Sequence, residues 1–243
     1  MVLSSAARGF RGSTIPLEEL PAPDEVGLDL PGAHRVHLVE PAVGDLPAPL
    51  QLTPGRVVGL VGSAGSGMTR LGLAMLAAHP ATGPAVYLDA RGWLCPAAAW
   101  EAGMDPDSLV IVRCDDPVAW GRVAATLVEG VGAICAEVPA GVKDPQLRAL
   151  AALVRRRAIP MVLRPLRGDL PPGLAHLRLM ARSVEWDGAD AGHGRLGRRR
   201  LVVEASGKAV QGRTLLVELE DHGTDAVHLV PRLAAAPAGR AAG

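Results

Sequence analysis

Lysine is almost missing from this chain. Of its 25 basic residues only Lys143 and Lys208 are lysines; the rest are arginine. An excess of either charge is missing as well. Lys+Arg and Asp+Glu number 25 each, so the bulk balance gives no sign of a nucleic-acid or membrane partner, and any such argument falls to local clusters. Cysteine is scarce and unpatterned: Cys95, Cys114 and Cys135 form no CxxC and no zinc-type spacing with His176, His193, His222 or His228. That excludes a disulfide framework or a familiar zinc module and predicts free thiols in a reducing compartment. No run approaches the roughly 18 consecutive apolar residues of a membrane span, and the N-terminal residues show no signal-like apolar core. The expectation is a cytoplasmic protein with no membrane partner.

What is present suits a single main domain. The 243 residues are 49% hydrophobic, enough for a sizeable core. Residues 1–33, with scattered prolines and acids, read as a flexible N-terminal lead, 34–233 as the core domain, and the Ala, Gly, Pro and Arg stretch 234–243 as a disordered tail.

From Val57 to Leu163 the chain cycles through strand, turn and helix. Val57–Val61, Ala85–Leu88, Leu109–Val112, Ala133–Cys135 and Pro160–Leu163 are short apolar runs, as expected of strands buried on both faces. Asp116-Pro117 and Asp144-Pro145 each place an N-cap acid before a first-turn proline, opening helices over 118–129 and 146–157. After Pro172 the pattern changes to strands punctuated by glycine: 174–186, 200–205, 214–219 and 226–231. This is an α/β chain, with a mostly parallel sheet flanked by helices and an antiparallel extension on its C-terminal side.

The stretch Gly62-Ser63-Ala64-Gly65-Ser66-Gly67-Met68-Thr69 lies between the first of these strands and a helical run. Strand, glycine loop and helix in that order form a phosphate-binding arrangement, in which backbone N–H groups cradle phosphate oxygens at the helix N-terminus. Met68 stands where the lysine of such a loop belongs. Gly62, Gly65, Ser66, Gly67, Met68 and Thr69 are the candidate nucleotide-contacting residues, with Thr69 the candidate magnesium ligand. Arg70, two positions beyond Met68, starts on another face of the helix and is no simple replacement.

With loop, order and spacing together, the chain resembles the RecA-type recombinase core. It is more closely similar to the RecA-like accessory proteins of the bacterial mutasome, the ImuA family in its actinobacterial form. The likeness runs from about Pro54 to Leu219 and rests on Pro54-Gly55-Arg56-Val57-Val58 before the loop, Val86-Tyr87-Leu88-Asp89-Ala90 as the second core strand, residues 100–109 as helix, turn and third strand, and 177–186, 198–205 and 214–219 as the later antiparallel strands.

The resemblance implies a RecA-like core whose hydrolytic positions are altered. Besides Met68, Arg91 stands where the family has its catalytic glutamate, and a cation cannot act as a base. The Walker B aspartate would fall at Glu137 or Ala136, and Glu137 keeps the charge on a longer arm. Three such changes imply lost ATP hydrolysis, since phosphoryl transfer depends on placed cations and a positioned nucleophile. No cofactor is therefore expected beyond weak ATP and magnesium binding. No catalytic residue and no metal site are expected either. For DNA, the candidates are Arg164, Arg167 and Arg178 around the short proline-rich turn after the fifth core strand, and the arginine runs 155–157 and 198–200. Lys208 sits like a recombinase lysine that reaches a neighbouring subunit's nucleotide, or is a plain turn lysine.

The implied role is that of a non-catalytic adaptor in damage-induced translesion synthesis. Its partner would be an inactive Y-family polymerase homologue of the ImuB type, and through it the sliding clamp and an error-prone replicative-type polymerase. Alternatives are a divergent ATP-binding switch that associates with DNA or recombination factors, and a cell-division inhibitor on a reduced RecA-like fold. Trp93, Trp100, Trp120 and Trp186 read as core or interface anchors, Trp93 being the one suspected of surface contact.

Overall fold

The computed structural model describes residues 34–38, 46, 50–80, 82–188 and 198–222. The expected lead, the tail and the strand 226–231 lie outside them. Nine strands and four α-helices follow one another among the described residues: β1 His34–Leu38, β2 Val57–Val61, α1 Met68–Ala77, β3 Ala85–Asp89, α2 Pro96–Glu101, β4 Leu109–Arg113, α3 Pro117–Val128, β5 Ala133–Val138, α4 Asp144–Arg157, β6 Met161–Pro165, β7 Leu177–Asp187, β8 Arg198–Gly207 and β9 Leu215–His222.

All nine strands join one sheet in the order β1-β9-β8-β7-β2-β6-β5-β3-β4. From β4 to β7 every neighbouring pair is parallel, whereas β7, β8 and β9 pair antiparallel and β1 lies parallel to β9. The α/β reading with its antiparallel extension is what the structure has. Strands β2 and β3 are consecutive in sequence, yet β6 and β5 lie between them. The parallel part therefore presents the carboxyl ends of β2, β6, β5 and β3 along one edge.

Each face of the sheet carries its own core. On one face Leu71, Leu73 and Leu76 of α1 and Ala99 of α2 pack with Leu60, Tyr87, Cys135 and Val162, and with Leu179, Leu201 and Val217 of the antiparallel strands. On the other, Trp120, Ala124 and Val128 of α3 and Leu147, Leu150 and Val154 of α4 cover Val86, Leu88, Ile134 and Met161. Tyr87 serves one core and its neighbours Val86 and Leu88 the other, the two-residue period of a strand buried on both faces.

The helix starts divide. Asp116 caps α3 as expected, its carboxylate accepting from the N–H groups of Val118 and Ala119 at 2.9 and 3.1 Å. Asp144, expected to cap the next helix, is instead the first residue of α4, and the cap is Lys143. The reason is Gln146, whose Oε1 accepts from the Lys143 N–H at 2.8 Å and so fixes the start one residue earlier, half of a capping box.

Candidate functional site

The carboxyl edge of the parallel strands is where the chemistry-bearing residues gather. After β2 the chain turns through Gly65 and Gly67, both in the left-handed region at φ 81° and 78°, and Gly67 is the N-cap of α1. Ser66 folds back: its hydroxyl donates to Ser63 O at 2.7 Å and its N–H to the same oxygen at 3.2 Å. The loop is thus a closed turn held by its own polar groups.

Met68 does not project over this turn. It is 0% exposed and belongs to the apolar core with Leu60 and Leu179. A Cβ placed on Gly62 would come within 2.9 Å of Met68 Cγ and 3.1 Å of Ala181 Cβ, so the thioether fills space between the loop and β7. Arg70 turns to α2, donating to Glu101 Oε2 at 3.2 Å.

A cation reaches the loop from elsewhere. Arg199 of β8, only 9% exposed, lies so close to Gly67 that a Cβ there would stand 2.6 Å from Arg199 Nη1. Its guanidinium also sits over the Trp186 ring, 5.7 Å from the centroid, within cation–π range. Trp186 and Arg199 are register partners across β7 and β8.

Glu137, near the end of β5, is 1% exposed and heavily engaged. Arg91 donates through Nε to Oε1 and Oε2 at 3.1 and 3.2 Å and through its backbone N–H to Oε2 at 3.2 Å, and its Nη2 meets Oε1. Arg164, from the neighbouring strand β6, donates to Oε1 at 3.1 Å, and the Tyr87 hydroxyl does so at 3.1 Å. Two guanidinium groups therefore clasp one buried carboxylate. Burial, Cys135 and Glu137 raise the Tyr87 phenol pKa far above its ordinary value, and the Thr69 side chain opposes that shift. Burial first and then Glu137 push the Cys135 thiol up to about 12. Asp89 accepts from the N–H groups of Gly92 and Leu94 at 2.8 and 2.9 Å, which fixes the turn that carries Arg91. Beyond it Trp93 stands 75% exposed with the Arg91 guanidinium 5.2 Å from its ring centroid.

A magnesium nucleotide needs a carboxylate free to orient the ion's waters and a base for the attacking water. Glu137 has its oxygens taken up by Arg91, Arg164 and Tyr87, and Arg91 is no base. The residues present do not fit hydrolysis of such a nucleotide.

The DNA candidates differ in their surroundings. Arg164 is 5% exposed and its guanidinium faces Glu137, so it offers nothing to a backbone phosphate. Arg178 donates to Asp169 Oδ1 at 3.2 Å, holding that carboxyl below its ordinary range, while Arg167 is exposed on the turn. Of the tryptophans, Trp120 is a core residue at full burial and Trp93, Trp100 and Trp186 are exposed.

Sequence reasoning placed Arg199 only in a candidate DNA-binding run and missed both its approach to Gly67 and the clasp on Glu137. The signal for Arg199 was available in part: in a strand, the middle residue of Arg198-Arg199-Arg200 points to the face opposite its neighbours. The clasp needs the adjacency of β3, β5 and β6, which no local pattern encodes.

No curated protein matches the chain. The family of the MT3502 N-terminal domain matches it over residues 46–167, half of its length, in a stretch that contains the glycine loop, Arg91, Glu137 and Arg164 but ends before β7. On that match, the chain belongs to the MT3502 N-terminal domain family.

Proposed function

We propose that this protein is a non-catalytic, RecA-like adaptor in DNA damage-induced translesion synthesis, acting by contact with an ImuB-type inactive Y-family polymerase homologue. The clasp of Arg91 and Arg164 on Glu137 is the observation that carries the non-catalytic part. A carboxylate already neutralised by two guanidinium groups has no capacity left for a metal's waters, and the position expected to supply a base supplies one of the clamps. The RecA-like part is supported by the strand, glycine loop and helix at the middle of a parallel sheet, followed by antiparallel strands. The partner rests on the resemblance, and Trp93, exposed on a turn pinned by Asp89, is the anchor we assign to it, since exposed tryptophans are favoured interface residues.

A second reading, a divergent ATP-binding switch, is favoured by the Arg199 guanidinium at Gly67, which gives the loop a cation in place of the absent lysine. One experiment separates the two. The purified chain is titrated with fluorescent ATP and magnesium, and a tagged chain is recovered from DNA-damaged cells with and without Trp93→Ala. The adaptor reading expects no saturation in the micromolar range, and a polymerase-type partner recovered by the natural chain and reduced with Trp93→Ala. Saturable micromolar binding abolished by Arg199→Ala would establish the switch instead.

A further inference from the structure

The amino edge of the sheet, opposite the glycine loop, carries a second cluster that the adaptor reading does not use. There the starts of β2 and β7 meet the end of β8. Arg56 precedes β2, His176 precedes β7, Lys208 follows β8, and Arg155 comes from the last turn of α4. All four line one cleft. A second cleft shares Arg56 and His176 with the first and adds Gln51 and Thr53. Among the described residues no aspartate or glutamate lines either cleft.

His176 is held firmly at the joint. Its backbone N–H donates to Val57 O at 2.8 Å, and its carbonyl accepts from the Ala209 N–H at 3.0 Å. Its Nδ1 is buried with no hydrogen-bond partner in the protein. Desolvation first, then the charges of Arg56 and Lys208, lower the imidazole pKa below its ordinary value. The fold thus lines one cleft with two arginines, a lysine and a histidine and no acid among the described residues, an arrangement that resists further positive charge and relaxes when an anion enters. Guanidinium forks and a mobile ammonium match the oxygens of a tetrahedral oxyanion. The hydroxyl and amide of Thr53 and Gln51 suit the neutral side of such a ligand.

We propose that this cleft is a binding site for a phosphate group, free or monoesterified, held by Arg56, Arg155 and Lys208 beside His176. The site is separate from the glycine loop and is independent of the adaptor reading.

The test uses the full chain, with its histidines isotopically labelled and His176 assigned by His176→Gln. Inorganic phosphate and ribose 5-phosphate are titrated separately while the His176 resonance is followed across pH. Saturable binding is expected, with the His176 pKa rising in the bound state because an adjacent anion favours the imidazolium. Arg56→Ala and Lys208→Ala should each weaken binding by about tenfold, the equivalent of one charged contact, and both residues are exposed, so the fold is spared. Ser63→Asp, which places a negative charge on the glycine loop, should leave the affinity unchanged. Tighter binding of ribose 5-phosphate than of inorganic phosphate would assign the monoester, and equal binding the free anion. A His176 pKa that phosphate does not move, or affinity lost with Ser63→Asp and kept in Arg56→Ala and Lys208→Ala, overturns the proposal.

Discussion

A buried carboxylate with two arginines depends on them, and they depend on it. Arg164 is nearly as buried as Glu137 itself, so removing the carboxylate charge leaves a guanidinium stranded in the core; Arg91, with about a quarter of its side chain exposed, can turn to water. Breaking such a buried pair from one side costs about 3–5 kcal/mol. Glu137→Gln is therefore expected to lower the unfolding free energy measured by urea titration by an amount in that range, whereas Arg91→Ala should cost clearly less. The double variant Glu137→Met/Arg164→Met, which leaves no buried charge behind, should recover most of the loss. Equal midpoints for Glu137→Gln and the natural chain would mean that the clasp carries no stability. At this scale the sequence was half legible. That position 68 holds no lysine, and position 91 no base, can be read directly; that Met68 faces the core and that Arg199 comes to Gly67 depends on the register of β7 with β8.

At the scale of elements the local signals were strong, because caps and short apolar runs are encoded within a few residues. The contrast between the two Asp-Pro starts shows where such signals fail. Asp116 makes both cap hydrogen bonds, and replacing a cap of this kind by alanine costs about 1 kcal/mol. Asp144 makes none and contributes only through its charge in the first turn of α4, about 0.3–1 kcal/mol at low salt. Thermal or urea unfolding of Asp116→Ala and Asp144→Ala should therefore differ in salt dependence: the Asp144→Ala effect should shrink at high ionic strength and the Asp116→Ala effect should persist. The same pattern in both variants would mean that Asp144 caps α4 after all. What decided against it was Gln146, three residues beyond Lys143, a partner that a reading centred on the Asp-Pro pair passes over.

The whole molecule raises the question of whether the matched half, residues 46–167, is a domain that stands alone. Three features say that it is not. Strand β2, which carries the glycine loop, pairs on one side with β6 and on the other with β7, from Val58 opposite Leu177 to Val61 opposite Met180. The core that buries Met68 and Leu60 is completed by Leu177, Leu179, Leu201, Val203 and Val217, all beyond residue 167. Arg199, the cation at Gly67, also lies beyond it. A fragment of 46–167 would keep the second core, with Trp120, Leu150 and Val154, and lose one wall of the first. Such a fragment is expected to keep a helical far-UV signal while losing near-UV ellipticity and binding a hydrophobic dye, the signature of secondary structure without fixed packing. The full chain should unfold in a single transition seen alike by both spectral regions. A fragment that melts cooperatively with native near-UV ellipticity would show that β7, β8 and β9 are an appendage to an independent fold, and that the two cores do not depend on one sheet.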